Sequence, residues 1–297
     1  MRVSIKMIAS IYAAISISFW GISFVSTKAV LAQLDPFTLL SIRFGIASVF
    51  LFFLLLILRQ NVKMKILHLP HVFILATLGI FVHQVVQAAA LQSIQASQAG
   101  WIISFSPIFT AILASLFLKE AFTLFKAIGM TMAIAGVLLI TSYGQGGSLT
   151  FHANIGYLLM ILSTLNWAVY SILIKKLRIP YPALTVTFYT SFIGFLMTVP
   201  FFLRNNGWIK IAALSNDTWA HLLFLGIFVS AIAYWFWGKA LEVMEATRVS
   251  SFLYFEPLAT VAAAALLLNE PVLIASAAGG LLIIAGVMIV NRNKPFF

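Results

Sequence analysis

Long apolar stretches of this chain carry polar and aromatic side chains at helical spacing, and these residues could do chemistry. Trp20 and Ser23 are three residues apart, so they share one face of a helix. His83, Gln84 and Gln87 form a second cluster in the middle of another apolar stretch. Hydrocarbon penalises exposed polar groups, so we expect such side chains to face a cavity or one another. An aromatic, weakly polar cavity suits a small amphipathic or flat aromatic solute, and an amine could bind there through cation–π contact.

The residues predicted to bind a substrate lie in several of these stretches. They are Trp20, Ser23, His83, Gln87, Trp101, Trp167, Tyr170, Tyr234, Trp237, Tyr254 and Glu256. Simpler interpretations remain open for each of them, because Trp and Tyr are enriched at membrane interfaces and Ser often packs between helices. His83 could bind substrate or carry a proton, or it could form an interhelical hydrogen bond.

Glu256 is the acidic residue placed deepest in an apolar stretch. Charged and unpaired at that depth, it would cost about 3 kcal/mol. Residues 256, 260 and 264 share a helical face, and this stripe is typical of tight helix packing. Tyr254 points nearly opposite, so Tyr254 and Glu256 cannot both face a cavity on an ideal helix, although Pro257 could distort the turn before it. Glu256 is therefore either a coupling or amine-binding residue, or a residue buried against a polar partner.

Two basic residues also lie inside apolar stretches. Lys28 and Arg43 could extend towards an interface or pair with Asp35. For Arg43 we favour a structural or gating pair over substrate contact.

The sequence contains no catalytic constellation. Cysteine is absent, the five histidines show no metal-ligand spacing, and no Gly-Lys phosphate loop is present. We therefore predict no enzyme activity, no metal, no cofactor and no ATP-driven pump. Ion or substrate gradients would supply any energy.

Composition places the chain in a membrane. It has 297 residues, of which 62% are hydrophobic and 8% charged, with a mean hydropathy of +1.07. Soluble domains carry about 25% charged residues, so the lipid bilayer is the expected surroundings. A net charge of +11 could indicate nucleic acid, but membrane topology explains the distribution of basic residues better, and no nucleic-acid partner is predicted.

Ten spans of roughly 20 apolar residues are predicted. They cover 7–31, 37–58, 70–92, 97–118, 124–142, 154–175, 182–203, 218–240, 249–268 and 273–291. Fourteen of the 18 Lys and Arg residues then fall on one side of the membrane, and two, Arg204 and Lys210, fall on the other. This asymmetry predicts cytoplasmic N- and C-termini in a multi-pass protein of the inner (cytoplasmic) membrane.

An internal repeat divides the ten spans into two groups of five. FSPIFTAILASLFLKEAF at 105–122 recurs as FEPLATVAAAALLLNEPV at 255–272, and LGIFV occurs at both 78–82 and 225–229. Five is odd, so the second copy must enter the membrane from the opposite side. We predict an all-α integral membrane fold of ten helices in two inverted repeats, 1–143 and 154–293, joined by a linker at 144–153. Such repeats are a recurring design of secondary transporters.

The prolines and glutamates at matching positions are interpreted as structural marks of the repeat. They are Pro107, Glu120, Pro257 and Glu270. Pro107 would bend the fourth span, and Glu120 would lie at the N-terminus of the fifth, where its charge is favourable.

The segment SPIFTAILASLFLKEAFTLFKAIGMTMAIAGVLLI at 106–140 resembles the EamA repeat of the drug/metabolite transporter superfamily. FWGISFVSTKAVL at 19–31 and DPFTLLSIRFGIA at 35–47 resemble its first two spans. The resemblance covers nearly the whole chain, twice. It implies a ten-helix inner-membrane carrier with a central cavity, in a family largely of exporters of amino acids, metabolites and drugs. The second copy departs from the pattern where Arg43 is matched by Tyr189 and Lys119 by Asn269.

The leading hypothesis is a secondary transporter that exports amino acids or related small metabolites by alternating access. The alternatives are an uncoupled facilitator or channel for small metabolites, and an importer of the same solutes. No obligate protein partner is predicted.

Overall fold

Apolar segments separated by short polar turns fold into a bundle of α-helices. The computed structural model describes residues 5–94, 96–143, 155–268 and 274–290, and no strand occurs among them. The helices are α1 (Ile5–Leu31), α2 (Pro36–Ile57), α3 (Leu69–Leu75), α4 (His83–Leu91), α5 (Ala96–Ile103), α6 (Ser106–Leu118), α7 (Leu124–Tyr143), α8 (Ile155–Leu177), α9 (Ala183–Arg204), α10 (Gly207–Ala212), α11 (Asn216–Leu223), α12 (Tyr234–Val243), α13 (Ala246–Ser250), α14 (Glu256–Leu268) and α15 (Ile274–Val290). The predicted all-α membrane class is confirmed.

Seven continuous helical stretches in the described part of the chain are long and apolar enough to cross a membrane. They are Ile5–Leu31, Pro36–Ile57, Ile66–Leu91, Ile155–Leu177, Ala183–Arg204, Asn216–Val243 and Ala246–Leu267. Shorter apolar helices occupy Ser106–Leu118, Leu124–Gly136 and Ala278–Val290. All ten predicted spans thus contain helix, while the number that crosses the membrane stays a prediction.

The third and eighth predicted spans share an unusual local structure. Each starts as α-helix, widens into π-helix at Ala76–Val82 or Phe224–Ala233, and returns to α-helix. The two π-helical segments contain the repeated LGIFV sequences. Because π-helical turns are rare in α-helices and frequent near functional sites, this pair points to the region between them.

The two repeats interleave in the bundle. Helix α1 packs mainly against α12, α14 and the π-helical segment of the second repeat, and α8 packs against α4 and α6 of the first. Helices α2 and α9 pack together, as do α7 and α15. The first helix of each repeat therefore packs against the other repeat. Any movement of one repeat relative to the other must involve α1 and α8.

Glycines allow the closest crossings. A Cβ on Gly21 of α1 would lie 2.6 Å from the Cβ of Ala259 in α14, and Thr260 Oγ1 donates to the Gly21 carbonyl oxygen at 3.0 Å. Similarly, a Cβ on Gly129 would lie 2.5 Å from the Gly286 carbonyl oxygen, and one on Gly136 would lie 2.5 Å from that of Gly279. The small residues near Glu256 thus form a helix-packing face, of the kind the sequence indicates.

Polar contacts tie the repeats together at one end, called here the Asp35 end. The Asp35 carboxylate accepts hydrogen bonds from Lys210 Nζ at 2.8 Å and from Asn205 Nδ2 at 2.9 Å, both from the second repeat. It also caps α2 through the amides of Phe37 and Thr38. The suggested pairing of Asp35 with Lys28 or Arg43 is wrong, because Lys210 occupies the carboxylate.

The opposite end, called the Glu120 end, has its own connection between the repeats. The Glu120 carboxylate accepts from the amides of Ala246 and Thr247 at 2.7 and 3.2 Å, and from Thr247 Oγ1 at 2.7 Å. It therefore caps α13 of the second repeat, a contact that the sequence did not indicate, while its favourable effect at the start of the fifth span stays a prediction. Lys126 Nζ lies 3.9 Å from Glu120 and 3.2 Å from Glu245.

Two lysines hold equivalent turns of the two repeats. Lys28 Nζ donates to the Leu91 carbonyl oxygen at 3.4 Å and to that of Ile94. Lys175 Nζ donates to the carbonyl oxygen of Met244. Ser10 Oγ lies 3.7 Å from the Met244 sulfur, about 27 Å along α1 from Lys28. The two lysine contacts therefore lie near opposite ends of the bundle.

The repeat prolines lie at helix starts. Pro107 is in the first turn of α6, after a break at residues 104–105, and Pro257 is the second residue of α14. A proline is tolerated there because the first amides of a helix have no intrahelical acceptor. Glu270 lies outside the described residues.

Candidate functional site

A small cavity lies in the middle of the bundle, between the two repeats. Its volume is about 20 Å³, enough for about one water molecule. It is lined by Trp20, Ser23, Phe24, Arg43, His83, Gln84, Gln87, Ile103, Trp167, Tyr234, Leu253 and Glu256. Both repeats contribute to this wall, so a change in their packing alters the cavity.

Seven residues predicted to bind substrate meet at this cavity. They are Trp20, Ser23, His83, Gln87, Trp167, Tyr234 and Glu256. Helical spacing brings them together, because each lies on the face of its helix that points to the bundle interior. Their role in binding remains a prediction.

Aromatic rings form one wall of the cavity. The rings of Trp20 and Trp167 meet edge to face with their centroids 4.9 Å apart, and that of Tyr234 lies 5.5 Å from each. Trp20 and Trp167 occupy matching positions in the two repeats. Their contact therefore places the cavity where the two repeats meet.

Arg43 is the centre of a buried hydrogen-bond network, although it was expected in a structural pair. Its Nε donates to Ser230 Oγ, and its Nη1 donates to Gln84 Oε1 at 2.9 Å. Gln84 Nε2 donates to the Tyr234 hydroxyl at 2.8 Å, and that hydroxyl donates to the Gly79 carbonyl oxygen at 3.2 Å. This network joins α2, α4 and the eighth span, and it includes both π-helical segments.

His83 borders the cavity and also binds a neighbouring helix. Its Nδ1 lies 3.1 Å from the carbonyl oxygen and 2.8 Å from the hydroxyl of Ser163 in α8. Its ring lies 4.9 Å from that of Trp167. The interhelical hydrogen bond that the sequence offered as the alternative is present, and it orients the imidazole beside the aromatic wall.

Glu256 lines the cavity, and one oxygen of its buried carboxyl group has no polar partner in the part of the chain that the structure describes. The residue is 3% exposed and its Oε2 has no hydrogen-bond donor among the described residues. It is the first residue of α14, where the helix dipole favours a negative charge. Its match in the first repeat, Ser106, is also buried and carries no charge, so the two sides of the site differ in chemistry.

Three other predicted binding residues, Tyr170, Trp237 and Tyr254, are not among the residues that line the cavity. Trp237 and Tyr170 stand behind it, with ring centroids 5.1 Å from Trp20 and 5.0 Å from Trp167, respectively. Tyr254 packs with Ala111, Met130 and Ile283, because it and Glu256 point to different sides of the chain. The side chain of Trp101 lies outside the described residues.

The cavity is also lined by residues outside the predicted binding set. Gln84 lies in the polar cluster with His83 and Gln87, and that clustering was the signal for it. Phe24, Ile103 and Leu253 are apolar, and nothing in their type distinguishes them from other core residues. The sequence marks Arg43 as a charge inside a span, but its neutral partners, Ser230 and Gln84, have no sequence signal.

Known proteins resemble this chain along most of its length. The model of the EamA-like transporter family matches residues 7–142 and 154–292. An uncharacterized transporter of Archaeoglobus fulgidus is 33% identical over 284 residues, which cover 95% of this chain and 98% of that protein. A probable terminal-alkyne amino-acid exporter of Streptantibioticus cattleyicolor is 25% identical over 228 residues, covering 76% of this chain and 74% of that protein.

A solved protein structure, 18% identical, shares the fold. Its TM-score is 0.78, and the match covers 95% of this chain and 96% of that one.

Proposed function

Since the chain belongs to the EamA-like transporter family, we propose that it is a secondary carrier that exports amino acids or related small metabolites by alternating access. The predicted resemblance to the EamA repeat is confirmed. The observation that carries the proposal is the central cavity, which both repeats line and which lies where Trp20 meets Trp167. A site on the axis between inverted repeats can be reached from either side when the repeats rock.

Contacts at both ends of the bundle support alternating access. At the Asp35 end, Lys28 of α1 holds the turn after α4, and at the Glu120 end, Lys175 of α8 holds the turn after α12. Helix α1 packs on the second repeat and α8 on the first. Each lysine therefore connects a helix that packs on one repeat with a turn of the other repeat. Releasing one contact while keeping the other would open one end.

The chemistry of the wall supports a small metabolite with polar groups. Aromatic rings, amides, an arginine and a glutamate surround the cavity, a mixture that suits a compact solute with both apolar and charged parts. The name of the Streptantibioticus cattleyicolor relative, a probable terminal-alkyne amino-acid exporter, supports the same class.

The proposed location is the cytoplasmic membrane, with both termini in the cytosol. The Glu120 end, which carries Lys126, Lys175 and Arg248 near its polar contacts, would then face the cytosol. This orientation follows from the excess of basic residues on that side.

Reconstitution into liposomes tests the proposal. Labelled metabolite should enter vesicles preloaded with the same unlabelled metabolite, because one binding site carries substrate outward and returns loaded with substrate from the other side. This uptake should saturate and should be inhibited by competitors. Trp167→Ala and His83→Ala should reduce this counterflow in folded protein, whereas Trp208→Ala, which alters an exposed tryptophan, should not.

Two results would contradict the proposal. Flux at the level of empty liposomes across a broad metabolite panel would remove the transport function. Flux without counterflow would instead identify an uncoupled facilitator. Inside-out and right-side-out vesicles with imposed gradients would distinguish export from import.

A further inference from the structure

The central cavity is lined by one basic and one acidic side chain that do not pair with each other. Arg43 is 2% exposed and Glu256 is 3% exposed. They are not within the 4.0 Å of an ion pair, and neither forms one with any other described residue. Unpaired charges buried in a membrane protein are costly and usually functional, so this separation requires an explanation.

The guanidinium of Arg43 is held in one orientation by neutral groups. Ser230 and Gln84 accept from Nε and Nη1, and no described residue accepts from Nη2. These partners fix the plane of the group without neutralising its charge. A planar, fixed guanidinium is well suited to bind a carboxylate.

Glu256 lacks the complementary group. Its enclosed Oε2 has no donor among the described residues, and the rings of Trp20, Trp167 and Tyr234 line the same cavity. An ammonium group would donate hydrogen bonds to the carboxylate and could also bind the faces of these rings. Among the described residues, no anion lies against Arg43 and no cation lies against Glu256.

We propose that the cavity recognises both charged ends of a zwitterionic α-amino acid with a neutral side chain. Arg43 binds the carboxylate and Glu256 binds the ammonium group. Since His83 is the one further ionisable side chain besides Tyr234 among the lining residues, a charged side chain on the substrate would find no third opposite charge there. This inference rests on the proposed carrier function and specifies its substrate class.

Binding must enlarge the site. A volume of about 20 Å³ is far below the ~300 Å³ at which small-molecule pockets begin. Arg43 lies on α2 and Glu256 on α14, and separation of α14 from the helices of the first repeat would widen the gap between the two charges. The substrate would then replace the missing opposite charge at each side chain.

Competition with matched analogues tests two-ended recognition. Counterflow of labelled leucine, phenylalanine and threonine is measured first. For leucine, the competitors are leucine itself, 4-methylpentanoate, which lacks the amino group, and 3-methylbutylamine, which lacks the carboxylate. The corresponding set for phenylalanine is phenylalanine, 3-phenylpropanoate and 2-phenylethylamine. We expect each amino acid to compete at least tenfold better than either of its analogues.

Variants assign each end of the substrate. Glu256→Gln should weaken competition by the amino acid at least tenfold and leave competition by the carboxylate analogue nearly unchanged. Arg43→Gln should do the reverse, sparing the amine analogue. Asp217→Asn and Arg204→Gln, which alter exposed residues, serve as matched controls. Thermal unfolding identifies folded variants, and if Arg43→Gln does not fold, the Glu256→Gln comparison decides alone.

The outcomes separate this inference from the carrier function. Analogues that compete as well as the amino acids would overturn it, and so would a Glu256→Gln variant that weakens all competitors equally. Counterflow of another metabolite with none of the three amino acids transported would also overturn it, while leaving the carrier proposal intact. Absence of flux for every metabolite would instead remove the carrier proposal itself.

Discussion

Lys28 and Lys175 are equivalent residues of the two repeats, and each binds backbone carbonyl oxygens at the turn that follows the third span of its own repeat. The contacts lie near opposite ends of the bundle. Lys28 lies on α1, which packs on the second repeat, and it binds a turn of the first repeat. Lys175 lies on α8, which packs on the first repeat, and it binds a turn of the second. We call these two matched contacts closures, because each holds one end of the bundle together. An inverted duplication, as predicted from the sequence, would account for both their similarity and their separation.

Removing either closure should open one end of the cavity. Lys28→Met should raise labelling of a cysteine introduced at Ser23 several-fold from the Asp35 end, and Lys175→Met should do so from the Glu120 end. The chain contains no native cysteine, so an impermeant thiol reagent applied to right-side-out or inverted vesicles measures access directly.

Lys176→Met is the control for this pair, since Lys176 contacts the Phe117 ring at 5.0 Å and takes no part in the closure. Equal effects of Lys28→Met and Lys175→Met from both sides would contradict the assignment of one closure to each end.

Any side chain at Gly21 should destabilise the protein, because α1 and α14 cross too closely there to leave room for a Cβ atom. A Cβ there would lie 2.6 Å from that of Ala259 and 2.7 Å from the Glu256 carbonyl oxygen, so backbone must move. We expect Gly21→Ala to destabilise the protein by about 1–3 kcal/mol, measured by thermal unfolding in detergent.

Gly45→Ala provides the comparison for Gly21. Its nearest contact would be the edge of the Phe195 ring at 3.3 Å, and this side chain can shift. A loss of stability as large as that of Gly21→Ala would show that the close crossing is not the cause.

Protonation of Asp35 should weaken the Asp35 end in acid. Burial raises the pKa of this carboxyl, but hydrogen bonds from Lys210, Thr38 and Asn205 outweigh it and lower the pKa to about 2. Because the pKa in the folded protein lies below the ordinary 3.8, the stabilisation is complete above the ordinary value and is lost as the pH falls towards 2.

Asp35→Asn isolates the charge, since asparagine is also a good N-cap. At pH 6 we expect this change to destabilise the protein by about 1–2 kcal/mol, towards the lower figure because the Lys210 side chain is 41% exposed. The difference in melting temperature from the wild type should shrink below pH 4. A constant difference from pH 6 to pH 3 would show that the charge does not contribute.

Helical periodicity in the sequence predicted which faces of the helices point inward. It did not predict the hydrogen-bond partners of the polar side chains. Trp20, Ser23 and Trp167 line the cavity as predicted, because polar and aromatic residues spaced three or four apart in an apolar helix share one face. Tyr254 is not among the residues that line the cavity. A short 3₁₀ stretch at Ser251–Phe255 precedes α14, and small rotations there change which side chain faces inward.

Partners on the backbone or in the other repeat were beyond reach. Lys28 binds carbonyl oxygens, which every residue possesses, so no sequence signal marks them. Glu120 caps a helix more than 100 residues away, and only the packing of the repeats brings it there. The repeated LGIFV sequence marks the two π-helical segments as equivalent. Nothing in their composition predicts π-helical backbone geometry.

The glycine crossing of α7 and α15 has a consequence for how such a chain can be assembled. Gly129 and Gly279 are matching positions, as are Gly136 and Gly286, so the contacts Gly129–Gly286 and Gly136–Gly279 exchange under the pseudo-two-fold. A surface that meets its own copy in this way is self-complementary, the property that defines the interface of a symmetric dimer. The two repeats thus pack at this crossing like the subunits of such a dimer, yet as parts of one chain they differ in sequence, with Glu256 in the second repeat at the position of Ser106 in the first.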